Sequence, residues 1–550
     1  MGPGALMHEA WDRRSFLRAA AGTGAASFGL AACQAPPADL SRLPGGWLGA
    51  SAERGHRLRS ALPAAQSAPA LPLQRRQVLI VGGGIAGLAC ARGLSQAGLD
   101  DFALLELEDQ VGGNSRGHRM GGMACPMGAH YLPLPGPQSR EVHQLLEELG
   151  LVRQELGRAV WDERYLCHSP QERLFFEGQW HEGLLPPAPH AAAQAQQRRF
   201  EQAVDRAQRE LGFAMPSHRA PWTAAHAALD DQSFAAWLDA QGLKEPTLRW
   251  YLDYCCRDDY GAPSQEVSAW AGIHYFASRH GFHPPGAESA EREPVLTWPQ
   301  GNAFLSEAMA APLRDRIHAG RTVLHIEAGK HDITLRVWNE ARQREERWQC
   351  QQLVLATPLF IAQRLLGPGI AALDEALAQQ AHAPWLVANL QLKQPLLQRL
   401  GAPPSWDNVI YGSQALGYVD AMHQSLHPVS GPTVLSAYWA LPQSRRAELL
   451  RADWRPWLTQ VLAELSAVHP DLPAQLERAD LVRWGHAMSI PRPGLRGSPA
   501  LRALRHVPGR IHFAHSDLAA YSVFEEAYTL GCETAATVAK FTTNIQKQST

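Results

Sequence analysis

A strand, a glycine turn and a helix follow one another at residues 78–97, and this order constrains the fold more than any other feature of the chain. The run VLIV at 78–81 is short, apolar and largely β-branched, as is typical of a parallel strand buried on both faces. We expect a helix at 86–97, with the backbone of Ile85 and Ala86 at its start facing phosphate groups. The turn has the spacing G-x-G-x-x-G, which allows a tight turn, close approach of a pyrophosphate and packing of helix on strand; its glycines are Gly82, Gly84 and Gly87.

An acid at a fixed distance from these glycines supports the same interpretation. A second apolar run at 102–105 is followed by Glu106, about 20 residues beyond Gly87, the separation typical of the carboxylate that binds a ribose 2′-hydroxyl. A carboxylate here favours an adenosine without a 2′-phosphate. Because strand, turn, helix, second strand and acid occur in order, the sequence predicts a Rossmann-type dinucleotide-binding unit.

The residues after this unit resemble one group of dinucleotide-binding proteins. Residues 109–114, DQVGGN, resemble the D-x-V-G-G extension of flavoproteins related to monoamine oxidase, polyamine oxidase and phytoene desaturase. The resemblance implies FAD, bound in part by Gly112, Gly113 and Asn114; a turn that binds NAD(P) or nothing is the alternative. It also implies an α/β fold of the glutathione-reductase-like, amine oxidase type, in which a Rossmann-type FAD-binding domain is interleaved with an α+β substrate domain.

Two later segments extend this resemblance. Residues 120–135 resemble the segment that passes under the flavin ring, where Gly128 and Ala129 would approach the ring and His130 or Tyr131 would face it. Residues 322–326 resemble the strand in which the backbone of a valine, here Val323, holds the adenine. An ordinary glycine turn with an aromatic core residue is the alternative interpretation of the first segment.

The last block of similarity lies near the end of the chain. Residues 509–517 resemble the family pattern G-R-x-x-F-A-G-D/E, whose acid binds the ribityl chain. Ser516 occupies the aligned position and Asp517 the next one, and we expect Asp517 to take the role. The resemblance also implies that the following helix, from about Phe524, points its N-terminus at the flavin pyrimidine and stabilises negative charge there.

These blocks divide the chain into interleaved segments. We expect an FAD-binding domain built from residues 77–150, 295–361 and 483–545, and a substrate domain built from residues 151–294 and 362–482. Within the second, Arg257, Asp258 and Asp259 are candidates for a buried charge cluster, with an inter-domain salt bridge as the alternative. Trp270, His274 and Tyr275 are spaced to line a pocket or to form a helix core.

The first residues resemble an export signal rather than part of the folded domain. DRRSFLR at 12–18 resembles a twin-arginine export signal, and the apolar run at 19–32 is too short to span a bilayer permanently. LAAC at 30–33 resembles a lipobox, so we expect residues 1–33 to be the signal and Cys33 to carry a lipid that holds the protein on the periplasmic side of a membrane; cleavage elsewhere is the alternative. Residues 34–76, rich in Pro, Ala, Ser and Gly, are predicted to be a flexible linker.

Composition excludes several classes of partner. With a net charge of −2 the chain has no basic field, so a nucleic acid is not expected. The eight cysteines include no CxxC pair, which leaves a zinc ribbon or thioredoxin-like motif unsupported, and no metal site is predicted. Cys532 is not at the position of the flavin-linking cysteine of monoamine oxidases, so we expect noncovalent FAD.

The resemblance implies a reaction but departs from the family pattern at two positions. Enzymes of this type pass a hydride from the carbon beside an amine nitrogen to flavin N5, and the imine then hydrolyses. Counting from Ala356, the family's lysine near N5 falls at Arg364, which can hold a water or an anion but cannot act as a base. The tyrosine that walls the amine cage falls at Val523, although Tyr521 and Phe524 are close. We therefore place Arg364, His130 and Tyr131 on the catalytic side, and expect a quinone or another envelope acceptor rather than oxygen.

The sequence does not identify the substrate, since the resemblance is weak over the substrate domain. The leading hypothesis is oxidation of a polyamine-like or amino-acid-like amine. One alternative is a desaturase of a polyene or porphyrin-like compound, and another is a flavin-binding envelope lipoprotein without turnover. Carboxylates with aromatic residues in the pocket would favour an amine, whereas a continuous Leu, Ile and Phe lining would favour a polyene.

Overall fold

The computed structural model describes residues 40–59, 73–284, 294–426 and 431–548. The chain divides into two units, residues 1–42 and 43–550, and the fold below is that of the second. The predicted export signal and Cys33 lie outside the described residues. Across the described ranges, no helix is both long and apolar enough to cross a bilayer.

Twenty-one strands are present in the described residues. In chain order they are β1 Gly45–Leu48, β2 Leu73–Val81, β3 Phe102–Leu105, β4 Gly117–Met120, β5 Met123–Pro126, β6 Tyr131–Pro133, β7 Val152–Glu155, β8 Arg158–Trp161, β9 Glu172–Phe176, β10 Gln179–Glu182, β11 Val295–Thr297, β12 Ile317–His318, β13 Arg321–Ala328, β14 Ile333–Asn339, β15 Arg344–Leu355, β16 His382–Leu392, β17 Asp407–Ile410, β18 Tyr418–Asp420, β19 Thr433–Ala440, β20 Leu476–Ser489 and β21 Ile511–Phe513.

The α-helices of the same residues number sixteen. They are α1 Ala52–His56, α2 Ile85–Gln96, α3 Arg140–Glu148, α4 Ala191–Glu210, α5 Ala224–Asp230, α6 Phe234–Ala240, α7 Pro246–Tyr260, α8 Ala269–Tyr275, α9 Ala303–Ala310, α10 Leu359–Leu366, α11 Ala371–Gln379, α12 Arg446–Arg451, α13 Trp454–Val468, α14 Leu472–Gln475, α15 Pro499–Leu504 and α16 Phe524–Gln548.

One sheet contains the predicted nucleotide-binding unit. Its order is β12-β3-β2-β15-β14-β13, with β21 also paired to β15. β2 lies parallel to β3 and to β15, and α2 connects β2 to β3, whereas β13, β14 and β15 form an antiparallel meander. VLIV at the end of β2 is buried, as expected for a strand covered on both faces. The predicted α/β fold with a Rossmann-type domain is confirmed.

Helices α2 and α16 cross closely on this sheet. At Gly531 an added Cβ would lie 2.3 Å from the carbonyl oxygen of Ala86, and at Gly93 it would lie 2.7 Å from the Cβ of Ala535. Small residues on both helices therefore bring their backbones together. This contact brings the N-terminus of the last helix to the glycine turn.

The second sheet is larger and of mixed direction. Its order is β1-β20-β16-β19-β18-β17-β9-β10, and most neighbours are antiparallel, but β17 lies parallel to β9 and β1 parallel to β20. β20 runs through residue 483, where the sequence predicted a domain boundary. The main hydrophobic core includes side chains of both sheets and of helices α4, α6, α7 and α8, with Phe200, Phe234 and Trp270 among its large side chains.

The prediction of a flexible linker at 34–76 is wrong for its described part. Gly45–Leu48 pairs with β20, and α1 follows it. Trp47 donates from Nε1 to the carbonyl of Ala452 at 3.2 Å, while Arg54 pairs with Asp109 at 2.9 Å and Arg57 with Glu340 at 3.2 Å. A four-residue strand is too short to show periodicity, so composition alone suggested a tether.

Candidate active site

A cavity of about 420 Å³ opens where the glycine turn, the end of β3 and the N-termini of α2 and α16 meet. Binding at the carboxyl ends of the strands is the usual position for a ligand of an open α/β sheet. All but one of the predicted cofactor-binding residues line it, namely Gly82, Gly84, Ile85, Ala86, Glu106, Gly112, Gly113, Asn114, Gly128, Ala129, Val323, Asp517 and Phe524. His130 and Tyr131 line it as well. We refer to this space as the cofactor cavity.

Gly87 is the exception, because it lies behind the turn rather than on the cavity wall. A Cβ at this position would be 1.9 Å from the carbonyl oxygen of Gly82. Gly82 itself has φ of +103°, a conformation that side-chain-bearing residues rarely adopt. Gly87 thus allows the helix to pack on the turn, which is the third role that the spacing predicted for it.

Glu106 has the geometry expected of a ribose-binding carboxylate. Its Oε2 accepts from the backbone N–H of Gly83 at 2.6 Å and its Oε1 from that of Glu108 at 2.8 Å. Burial raises the pKa of Glu106, and these two hydrogen bonds oppose the rise. The carboxylate is held rigidly at the cavity wall with lone pairs left for hydroxyl groups.

Asp517 is buried and fixed by protein groups. Its Oδ2 accepts from the backbone N–H of Leu359 at 2.9 Å, and its Oδ1 lies 3.0 Å from Nε2 of His382. Burial alone would raise the pKa of Asp517, but His382 and His515 outweigh it and hold the pKa well below its usual value. Asp517 is therefore an anion at the wall, and the adjacent Ser516 lines the same wall.

Three polar side chains of the cofactor cavity have no hydrogen-bond partner among the described residues, as expected if they face a long, polar cofactor. The buried atoms concerned are Oγ1 of Thr357, Oγ1 of Thr322 and Nε1 of Trp385. An added Cβ at Gly84 would meet nothing within 4 Å, so the backbone there is open to the cavity. With Glu106 on its wall and the N-termini of α2 and α16 opening onto it, the cavity fits FAD: the acid would hold the adenosine ribose, α2 the phosphates and α16 the flavin.

A second cavity of about 460 Å³ adjoins the first, and we call it the substrate cavity. The two share His130, Tyr131, Asp258, Arg279 and Tyr438 as walls. Its other walls combine aromatic rings with acids, namely Tyr251, Tyr254, Tyr275 and Trp406 with Glu172, Glu182 and Asp407. Such a lining suits a ligand that is cationic at one or more points.

The shared wall is made largely of stacked rings. The His130 ring stacks on Tyr438 with 4.5 Å between centroids and lies 5.5 Å from Trp406. Burial lowers the pKa of His130 to about 4, so its ring is neutral at pH 7. Burial, with a contribution from Asp258, raises the pKa of Tyr131 well above its usual value, so its phenol keeps its proton.

A buried ion cluster is joined to this wall through Arg279. Arg279 pairs with Asp259 and, at 3.3 Å, with Glu525; all three side chains are almost fully buried. The hydroxyl of Tyr521 also donates to Asp259. The candidate cluster of Arg257, Asp258 and Asp259 is accordingly divided: Asp259 belongs to this cluster, Arg257 pairs with Asp253, and Asp258 faces both cavities.

Arg364 does not reach either cavity, so its predicted place near the flavin is wrong. It lies on the exposed face of α10, and its Nε donates to the carbonyl of Leu58 at 2.9 Å. Val523 and Phe524 line the cofactor cavity, whereas Tyr521 is turned toward Asp259. A tyrosine cage at these positions is therefore absent among the described residues.

Several wall residues were missed from the sequence. Arg279 and Tyr438 were not singled out, and no local motif marks them. Of the three aromatic candidates on α8, Tyr275 lines the substrate cavity, whereas Trp270 and His274 pack in the interior. Nε2 of His274 donates to the carbonyl of Ala214 at 3.0 Å.

Comparison with known proteins identifies the family. The family model for flavin containing amine oxidoreductases matches residues 85–539. Human amine oxidase [flavin-containing] B is 24% identical over 293 residues, 52% of this chain and 51% of that protein, so the chain is matched over about half the length of this curated relative.

Two solved structures have the same fold over nearly their whole length. Putrescine oxidase bound to putrescine covers 85% of this chain and 99% of its own, at a TM-score of 0.63 and 18% identity. Cyclohexylamine oxidase from Brevibacterium oxydans IH-35A covers 84% and 99%, at a TM-score of 0.62 and 18% identity. With the family match over most of the chain, the predicted FAD cofactor is confirmed, and the chain belongs to the flavin containing amine oxidoreductase family.

Proposed function

We propose that this protein oxidises an amine that binds in the substrate cavity. The observation that carries the proposal is the shared wall, which joins a cavity fitted for FAD to one lined by aromatic rings and four carboxylates. Aromatic faces and carboxylates attract an ammonium group, whereas a polyene would need a continuous apolar lining. The name of the putrescine-bound neighbour agrees with this chemistry.

The chain's own residues orient the substrate and keep water away. The bound flavin supplies the hydride acceptor. Tyr131, His130 and Tyr438 form a buried aromatic surface at the junction of the cavities, against which the carbon beside the nitrogen would lie. Because His130 is neutral, these three rings add no positive charge that would repel an ammonium.

The test is anaerobic reduction of the flavin. We expect the visible absorbance of the purified holoprotein to bleach on addition of at least one compound from a panel of monoamines, diamines, polyamines and amino acids. Dithionite is the control that shows the flavin to be reducible. Bleaching by dithionite alone, with none by any amine, would contradict the proposal.

We also propose that the protein is exported by the twin-arginine route, is lipid-anchored at Cys33 in the periplasm and passes electrons to a quinone. The support is the sequence of residues 12–33 and Val523, which lines the cofactor cavity at the position where the amine oxidase pattern has a tyrosine. Noncovalent FAD is supported by the cofactor cavity, which no cysteine of the described residues lines. We expect reduction of a soluble quinone analogue during amine turnover, and rapid peroxide formation in a one-to-one ratio to product would contradict the acceptor.

A further inference from the structure

Asp258 lies at the junction of the two cavities without a partner of its own. It belongs to the last turn of α7 and lines both cavities. Among the described residues, none forms a hydrogen bond or ion pair with its carboxylate. The neighbouring Asp259 differs, because Arg279 and Tyr521 bind it.

The nearby arginines form ion pairs with other acids. Arg279, itself part of the shared wall, pairs with Asp259 and Glu525. Arg257 pairs with Asp253 at 3.2 Å and donates to the carbonyl of Gln414 at 2.9 Å. A carboxylate that is left uncompensated inside a protein is costly unless a ligand supplies the charge. The position of Asp258 therefore indicates a place for a ligand cation beside the flavin.

We infer that Asp258 binds the ammonium group of the substrate and removes its proton before oxidation. This inference rests on the proposed amine oxidation. In the step, an N–H bond of the ammonium breaks, an O–H bond forms on Asp258, and the nitrogen keeps the electron pair. The products are a neutral amine and a protonated Asp258. Only the neutral amine has the lone pair that assists loss of a hydride from the adjacent carbon.

The charged neighbours of Asp258 leave it able to titrate near neutral pH. The net pKa of Asp258 is about 7. Burial is the largest cause of this rise and Asp259 the next; Arg279 and Arg257 act in the opposite direction, and Glu172 adds to the rise. Like-charge repulsion also couples it to Asp407, whose own pKa burial raises well above its usual value. Asp407 lines only the substrate cavity, which makes it the natural comparison.

Four of the phenols around Asp258 and the imidazole of His280 do not titrate in the same range. Burial raises the pKa values of Tyr254, Tyr275 and Tyr438 well above their usual value, as it does for Tyr131. Burial lowers the pKa of His280 well below its usual value, and Arg279 adds to this effect. A proton acceptor with a pKa close to the working pH is the effective kind of general base.

The test compares Asp258→Asn with Asp407→Asn in the holoprotein. The first measurement is the anaerobic rate of flavin reduction by benzylamine and by 1,4-diaminobutane across pH 6 to 10 (roughly the span between the pKa of Asp258 and that of an alkylammonium). We expect the wild-type rate to fall below pH of about 7, as Asp258 becomes protonated. Asp258→Asn should be on the order of 100-fold slower at neutral pH and recover toward pH 10, where the amine loses its proton unaided. Asp407→Asn should still lose rate at low pH, with this fall shifted to lower pH because a like charge near Asp258 is removed, and it should show no recovery toward pH 10.

The second measurement needs no turnover. tert-Butylammonium has no hydrogen on the carbon beside nitrogen, so it cannot be oxidised, and its binding is followed through the flavin spectrum. We expect its Kd at pH 8 to rise about tenfold or more in Asp258→Asn, since a charge pair is lost. If no amine reduces the wild-type flavin but this loss is seen, the cation site at Asp258 stands and the proposed oxidation is wrong. Unchanged Kd and an unchanged pH profile in Asp258→Asn would overturn the inference.

Discussion

Gly87→Ala is expected to give a protein that is purified largely without FAD and unfolds at a lower temperature. The added Cβ would be 1.9 Å from the carbonyl oxygen of Gly82 and 3.3 Å from the Cβ of Ala356. The turn is held in place, because the backbone N–H of Gly82 donates to the carbonyl of Leu105 at 2.9 Å and the carbonyl of Gly83 accepts from Gly112 at 2.7 Å. Helix α2 must move away from β2, which we expect to cost about 3 kcal/mol, the upper end of ordinary overpacking.

The measurement is flavin absorbance per mole of purified protein, with the thermal midpoint by circular dichroism. Gly136→Ala is the matched control, since a Cβ at Gly136 would meet nothing within 4 Å. We expect the control to bind FAD like the wild type. A Gly87→Ala protein with full flavin content and an unchanged midpoint would show that the turn and helix separate easily.

Arg279→Met is expected to lower the free energy of unfolding by about 3–5 kcal/mol. The substitution leaves Asp259 and Glu525 buried without their cation, and their side chains are only 3% and 2% exposed. Leaving a buried charge uncompensated is among the most destabilising single changes. Tyr521 would still donate to Asp259, so part of the network is retained.

Urea unfolding of the holoprotein measures this effect, with Arg492→Met as the control. Arg492 pairs with Glu266 at 3.4 Å, but both side chains are about 40% exposed, so its loss should cost no more than about 1 kcal/mol. Equal midpoints for the two variants would mean that the buried cluster is not held by Arg279.

The cofactor side was predictable because its parts are local. The glycines, α2 and Glu106 belong to one continuous stretch, in which the order of strand, turn and acid dictates the arrangement. The substrate cavity has no such stretch. Asp407 and Glu172 are brought together by parallel pairing of β17 with β9, and nothing local in either strand specifies that partner.

The error at Arg364 has a simple physical reason. The residue was placed by counting from Ala356 along the chain, but α10 turns every 3.6 residues. Leu359, Ala362 and Leu365 form its buried face, so Arg364 must point to solvent. The spacing of Leu359, Ala362 and Leu365 in the sequence already indicates which face of the helix is buried, whereas the distance from Ala356 along the chain does not.

The pairing of β1 with β20 also sets an order of assembly. Gly55 and Leu58, just after β1, form one wall of the cofactor cavity. This segment leaves the ribosome well before its strand partners, Ala479 to Val482, are made. Contacts between such distant residues form late, because the intervening chain must first be closed into a loop. The nascent protein thus keeps this side of its flavin site open at least until β20 has been made.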